Sequence, residues 1–174
     1  MSNGAGFVNI LACSPTLSSH FAAFAPHSGA YYLPSSSSPS LPPAECQPAR
    51  SPLPILSFHG GSDKSVPYDG GAGSGRELPH VMDGWLADWA GRNGCGARQE
   101  DDEFGGDVKH FSWTCGGAQG GSGDLVMEHY KIDSMGELKC LLLFISGLFL
   151  PLFISSAHLL GRILSPTTTA AYEG

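Results

Sequence analysis

Positive charge is scarce in this sequence: nine Lys and Arg stand against sixteen Asp and Glu in 174 residues, a formal net charge of −7 with a pI near 5.3. No basic run occurs. Phosphate backbones are held by clustered Lys and Arg, so this balance argues against a nucleic-acid partner. No C-x-x-C spacing occurs either, and the five cysteines do not read as a zinc site. The first 30 residues lack a basic n-region, and their apolar residues are broken by Gly, Ser, Pro and His, so they do not read as a secretory leader. Charged residues make up only 14 %, but hydrophobic ones reach 41 %, which is a globular balance and excludes a disordered chain. A chain of this length can bury the core of one domain.

What is present has a coarse βα order. Residues 4–13 read as a helix with Phe7, Ile10 and Leu11 on one side. "FAAFAP" at 21–26 has the length of a buried parallel strand. "YYLPSSSSPSLPPAECQPARSP" then reads as a long irregular loop, and "LPILSFHG" as a second buried strand. A helix is expected from Pro79, carrying Val81, Met82, Trp85, Leu86 and Trp89 at helical spacing, with Asn93-Gly94 closing it. "VKHFSWTC" and "DLVMEHYKID" read as strands on either side of the Gly-rich "GGAQGGSG". Cys13, Cys46, Cys95 and Cys115 lie in this body and allow two disulfides in three connectivities, which favours an oxidising compartment.

Two positions carry candidate chemistry. "MSNG" at the start reads as the last four letters of G-x-S-x-G, the strained turn that presents a nucleophilic serine, with the first glycine and the preceding strands expected upstream. Ser2 is therefore the candidate nucleophile. A serine needs a base to take its proton and a carboxylate to orient that base. Asp63 in "PILSFHGGSDKSVPYDGG" follows an apolar strand and would reach the carboxyl edge of a sheet, where catalytic groups of open α/β folds gather; its other reading is a turn cap.

The successive stretches "SNGAGFVNILACSPTLSSHFAAFAPHSGAYY", "RSPLPILSFHGGSDKSVPYDGG", "LPHVMDGWLADWAGRNGC", "HFSWTCGG" and "VMEHYKID" resemble the secreted feruloyl esterases of types C and D, relatives of polyhydroxybutyrate depolymerases. The resemblance covers residues 1 to about 136. It implies an α/β chain, the C-terminal half of an α/β-hydrolase fold with a partial, mostly parallel sheet, followed by an apolar, helix-like C-terminal segment. It implies Ser2 as nucleophile, Asn3 as a backbone N–H donor to the oxyanion, and Asp63 as the triad carboxylate. His59 is expected to be structural and locally bonded, and Trp85, Trp89 and Trp113 to be core residues. Cys13 and Cys46, and Cys95 and Cys115, become the candidate disulfide pairs. The implied activity is hydrolysis of feruloyl–arabinose esters of plant cell-wall xylan through an acyl-enzyme, in an extracellular setting, with no cofactor and no metal. A polyhydroxybutyrate or acetylxylan esterase would differ only in the acyl pocket.

The base is the point of departure from that pattern. The family continues Gly-His-x-Trp-Pro after the last strand, whereas here Gly136 is followed by Glu137 and "LKCLLLFISGLFLPLFISSAHLL". Residues 140–160 carry no charge and are long enough to span a bilayer. Two readings of 137–174 stay open: an in-frame translated intron, or a tail anchor. The tail anchor brings the alternative function, an inactive membrane-anchored hydrolase remnant serving as an interaction module. Of the histidines, His20, His80, His110 and His129 are expected in surface or packing roles, His27 lines the cleft out of triad order, and His158 lies within the apolar stretch.

Overall fold

The computed structural model describes residues 1–33, 46–72, 76–116 and 124–136. Helix α1 (Asn3–Cys13) opens the chain. β1 (Ile55–Gly60) is buried at every position, as expected of an apolar run with no polar alternation. A short antiparallel pair, β2 (Gly71–Ala72) and β3 (Glu77–Leu78), follows. The expected tryptophan helix is present in two parts, a π-helical turn Val81–Leu86 running into α2 (Ala87–Arg92). Its N-cap is His80, whose ring accepts Asp83 N–H, so Pro79 lies just outside the helix and is not its first residue. Gly94, at φ +59, turns the chain away as expected.

β4 (Gln99–Glu103), β5 (Val108–Cys115) and β6 (Asp124–Ile132) complete a four-stranded sheet in the order β1-β6-β5-β4. The β1–β6 ladder is parallel, with Ile55 opposite Met127 and Gly60 opposite Ile132. The β6–β5 and β5–β4 ladders are antiparallel. This corrects the expected fold. The described residues form a small mixed α/β arrangement with two α-helices, a four-stranded sheet of one parallel and two antiparallel ladders, and no clear α/β-hydrolase fold. The cause is local: β5 and β6 are adjacent in sequence and pair as a hairpin, and β4 adds to the free edge of β5. "QEDDE" gives no apolar alternation, so β4 was not legible as a strand. Its row of exposed charges suits an edge that discourages pairing with another chain. The run 21–26 forms no ladder; Phe24 and His27 touch β1 through isolated parallel bridges to Ile55 and Phe58. The Gly-rich link between β5 and β6, the Ser/Pro loop from residue 34 to 45, and the apolar segment after residue 136 lie outside the described residues.

The core lies between one face of the sheet and the helices. Ile55, Met127, Phe111 and Trp113 pack against Leu86, Trp85 and Trp89, and all three tryptophans are buried. Asn9 of α1 joins the layers, its Oδ1 accepting the indole N–H groups of Trp85 (2.9 Å) and Trp89 (3.0 Å). Two disulfides, Cys13–Cys46 and Cys95–Cys115, are the pairs expected from the resemblance. They are compatible with an extracellular protein. Among the described residues, no helix is long and apolar enough to cross a membrane.

Candidate functional site

Ser2 stands between the backbone of residues 27–30 and the first turn of α1. Its N–H donates to His27 O (3.2 Å), and its carbonyl accepts from Ala30 N–H (3.2 Å). The same carbonyl begins the helix, accepting from Ala5 and Gly6 N–H. Held from both sides, Ser2 adopts φ 51, ψ −126, a region that Cβ sterics leave almost wholly to glycine. The close approach requires Gly6: a Cβ there would lie 2.4 Å from Ala30 O.

The Ser2 side chain makes no cap hydrogen bond to its helix. The Asn3 N–H, at the first position of α1, finds no acceptor among the described residues. A helix N-terminus that turns open N–H groups toward a strained serine can receive an oxyanion. The Asn3 side chain is itself pinned, its Oδ1 accepting from Tyr32 OH (3.2 Å).

The parallel bridges carry the register onward: Ser2 is level with Gly29, and His27 with Phe58 two residues before β1 ends. Asp63 lies three residues past that end, so Ser2, His27 and Asp63 gather at one edge. The turn is tight, because Gly60 faces Met135 O and a Cβ would come within 2.2 Å of it. Asp63 is 4 % exposed. Its Oδ1 accepts from Ser65 and Val66 N–H, both at 2.9 Å, so the turn-cap reading of this residue is met. Oδ2 is buried and has no hydrogen-bond partner among the described residues. One carboxylate oxygen thus builds the loop, and the other takes no part in it.

His59 is structural as expected: its Nε2–H donates to Val66 O (2.8 Å), tying the Asp63 loop to β1. A second tie escaped the sequence reading. His129 of β6 is fully buried, with Nδ1 hydrogen-bonded to Ser57 Oγ (2.7 Å) and Nε2 to Tyr68 OH (3.1 Å). Burial holds its pKa well below the ordinary histidine value and raises that of Tyr68, so both stay neutral and latch the far end of the loop. Only the alternation of β6, which puts His129 beside Met127, hinted at this. The pKa of His27 is lowered to about 4, first by burial, then by the chain's amino terminus and by His59, against the opposing pull of Asp63. His110 meets Glu128 (3.0 Å) and His80 meets Asp69 (3.4 Å) on other elements, so neither approaches Ser2 as a base. His158 lies outside the described residues.

A cleft of about 310 Å³ starts at Asn3 and runs between α1 and the tryptophan helix, past Tyr31, Tyr32, Arg76 and Trp85. Tyr31 stacks on Trp85 at 4.0 Å and 2°. The cleft walls combine Phe7, Tyr31, Tyr32 and the two tryptophans with polar Arg76, Asp88 and Arg92, and the indole N–H groups of Trp85 and Trp89 are already bonded to Asn9. No group of His, Cys, Asp and Glu able to hold a metal is present among the described residues.

The class defined by fold and site is a disulfide-bonded, small mixed α/β protein with a strained serine at a helix N-terminus and a buried carboxylate at the same edge. No protein-family model matches the chain, and no curated protein matches it significantly.

Proposed function

We propose that the chain encodes a serine carboxylesterase that forms an acyl-enzyme on Ser2. The single observation that carries this reading is the backbone of Ser2, φ 51 and ψ −126 directly before α1. A non-glycine residue is kept in that region only where the surroundings impose it, and such strain concentrates at reactive positions. A serine outside regular structure, directly before a helix whose first N–H groups are open, supports Ser2 as nucleophile and the Asn3 N–H as oxyanion donor. Asp63, with Oδ2 uncommitted, is the orienting carboxylate.

The resemblance to feruloyl esterases supplies the substrate class, feruloyl esters on arabinose of plant cell-wall xylan, and a secreted location. The aromatic side chains Tyr31, Tyr32 and Trp85 in the cleft beside Asn3 suit a planar aromatic acyl group. The disulfides suit an oxidising compartment.

The test is active-site labelling. The 174-residue chain is treated with a fluorophosphonate probe, and the peptides are analysed by mass spectrometry beside a methyl ferulate hydrolysis assay. Label on Ser2, lost together with hydrolysis in Ser2→Ala, supports the reading. A folded chain that takes no label at Ser2 refutes it.

A further inference from the structure

We propose that Asn9 selects the acyl group: its Nδ2 donates a hydrogen bond to an oxygen carried on the ring of an aromatic acyl ester lying in the cleft beside α1. The inference rests on the esterase reading above and deepens it, naming the feature of the acyl group that the site recognises. Trp85 and Trp89 each direct their indole N–H at the Asn9 amide, at 2.9 and 3.0 Å. An indole nitrogen can only donate, so the amide atom facing the two tryptophans must be the oxygen. Two donors thereby fix the orientation of the whole amide, and its NH2 group is turned away from the indoles. Nδ2 has no hydrogen-bond partner among the described residues, yet it is not one of their buried polar atoms without a partner, so it faces open space. Asn9 borders two such spaces. One is a gap of about 10 Å³, room for a single water at most; the other is the cleft of about 310 Å³.

The cleft starts beside the candidate nucleophile. Asn3, Gly6, Asn9 and Cys13 line it and succeed one another at three- and four-residue spacing, so one face of α1 forms its wall. Asn3 follows Ser2 directly, and Asn9 stands seven residues beyond Ser2, about 10 Å along the helix at 1.5 Å per residue. An acetyl group on Ser2 falls short of that distance, whereas an acyl group ending in a ring covers it. Gly6 has no side chain to block the path, and the stacked rings of Tyr31 and Trp85 give the ligand's ring apolar cover. A donor held at a fixed angle ranks ligands by whether they offer it an acceptor, because a ligand without one leaves the N–H groups desolvated and unpaired. Ring-oxygenated aromatic acyl esters are therefore bound ahead of the bare aromatic ester.

The experiment measures binding of two esters to the 174-residue chain by equilibrium dialysis, with circular dichroism confirming the fold. Ser2→Ala is the background, so that turnover does not consume the ligand. The probes are methyl cinnamate and methyl dimethoxycinnamate, whose ring oxygens accept hydrogen bonds and donate none. The dimethoxy ester is expected to bind about threefold to tenfold more tightly. Adding Asn9→Asp keeps an oxygen acceptor for both indoles and puts a carboxylate oxygen where the donor stood. The preference is expected to vanish or invert near neutral pH. Asn9→Ser, which withdraws the NH2 group from the cleft, serves as the second variant where the aspartate fails to fold, and the preference is expected to vanish there too.

Equal affinities for the two esters with Asn9 in place overturn the proposal without any variant. Binding of neither ester, or a preference that survives in a folded Asn9 variant, overturns it as well. Fluorophosphonate label on Ser2 without an ester preference removes the role of Asn9 and leaves the nucleophile. A preference that depends on Asn9, in a chain whose Ser2 takes no label, supports the recognition by Asn9 and overturns the esterase reading. The two failures are therefore distinct.

Discussion

Replacing Ser2 by glycine should make the protein more stable and abolish its labelling. At φ 51, ψ −126 the serine occupies the region of the first central residue of a type II′ turn, where glycine dominates. Holding a residue with a Cβ in a sparsely populated region costs about 1–3 kcal/mol. Glycine removes that strain but adds about 0.5–1 kcal/mol of chain entropy to be lost on folding. The net expectation for Ser2→Gly is a gain of about 1–2 kcal/mol. For a chain of this size each kcal/mol moves Tm by about 2–4 °C, so Tm should rise by about 2–8 °C. Ser2→Ala keeps the Cβ and its strain. Because the serine hydroxyl makes no cap bond, the alanine variant should stay within about 0.5 kcal/mol of wild type. The glycine-minus-alanine difference in urea and thermal unfolding isolates the backbone contribution. A glycine variant no more stable than the alanine one would refute the claim that strain is stored at Ser2, and with it the observation that carries the functional reading.

Three further outcomes follow from the packing. Asn93→Ala removes both partners of buried Leu53, whose N–H and C=O bond to Asn93 at 2.8 and 2.9 Å; a loss of about 2–4 kcal/mol is expected in urea unfolding, and a loss below about 1 kcal/mol would contradict the pairing. Opening Cys13–Cys46, separated by 33 residues, should cost about 3–4 kcal/mol by loop entropy, and opening Cys95–Cys115, separated by 20, slightly less; peptide mapping without reduction should recover these two pairs. Stability should fall as pH drops below about 6.5, because the unfolded chain binds protons on His27 and His129 while the folded chain does not. Each group then contributes about 1.4 kcal/mol per pH unit, His27 down to about pH 4 and His129 further. Acid unfolding of His129→Gln should show a shallower slope, and an unchanged slope would remove the buried neutral histidine from the account.

β1 and the tryptophan helix were legible because each depends on short-range chemistry, whereas the run 21–26 forms no ladder and β4 carries no apolar alternation. The apolar run of β1 has no polar alternation and is buried along its whole length. The spacing of Trp85, Leu86 and Trp89 marks the face of the tryptophan helix that enters the core. The π-helical start was not legible, since its displaced cap at His80 leaves no mark in the hydrophobic spacing. The sheet was misread for a different reason. Strand direction is a long-range property, and an apolar strand reads alike whether its neighbour runs with it or against it. At the candidate site, the sequence reading put Ser2 just before a helix and Asp63 just after a strand, and the structure has them there.

The sequence by itself determined which segments would be apolar, where turns would break them, which four cysteines lay in the body of the chain, and that a serine and an aspartate would follow the points where strands end or helices begin. These are properties of neighbouring residues. Only the tertiary structure decided that two of the three ladders in the four-stranded sheet would be antiparallel, that Ser2 would be forced to positive φ between α1 and residues 27–30, and that His129 would be spent on Ser57 and Tyr68. Each depends on groups brought together across tens of residues. Burial, strain and proton affinity are set there, by what surrounds a side chain and not by what precedes it in the chain.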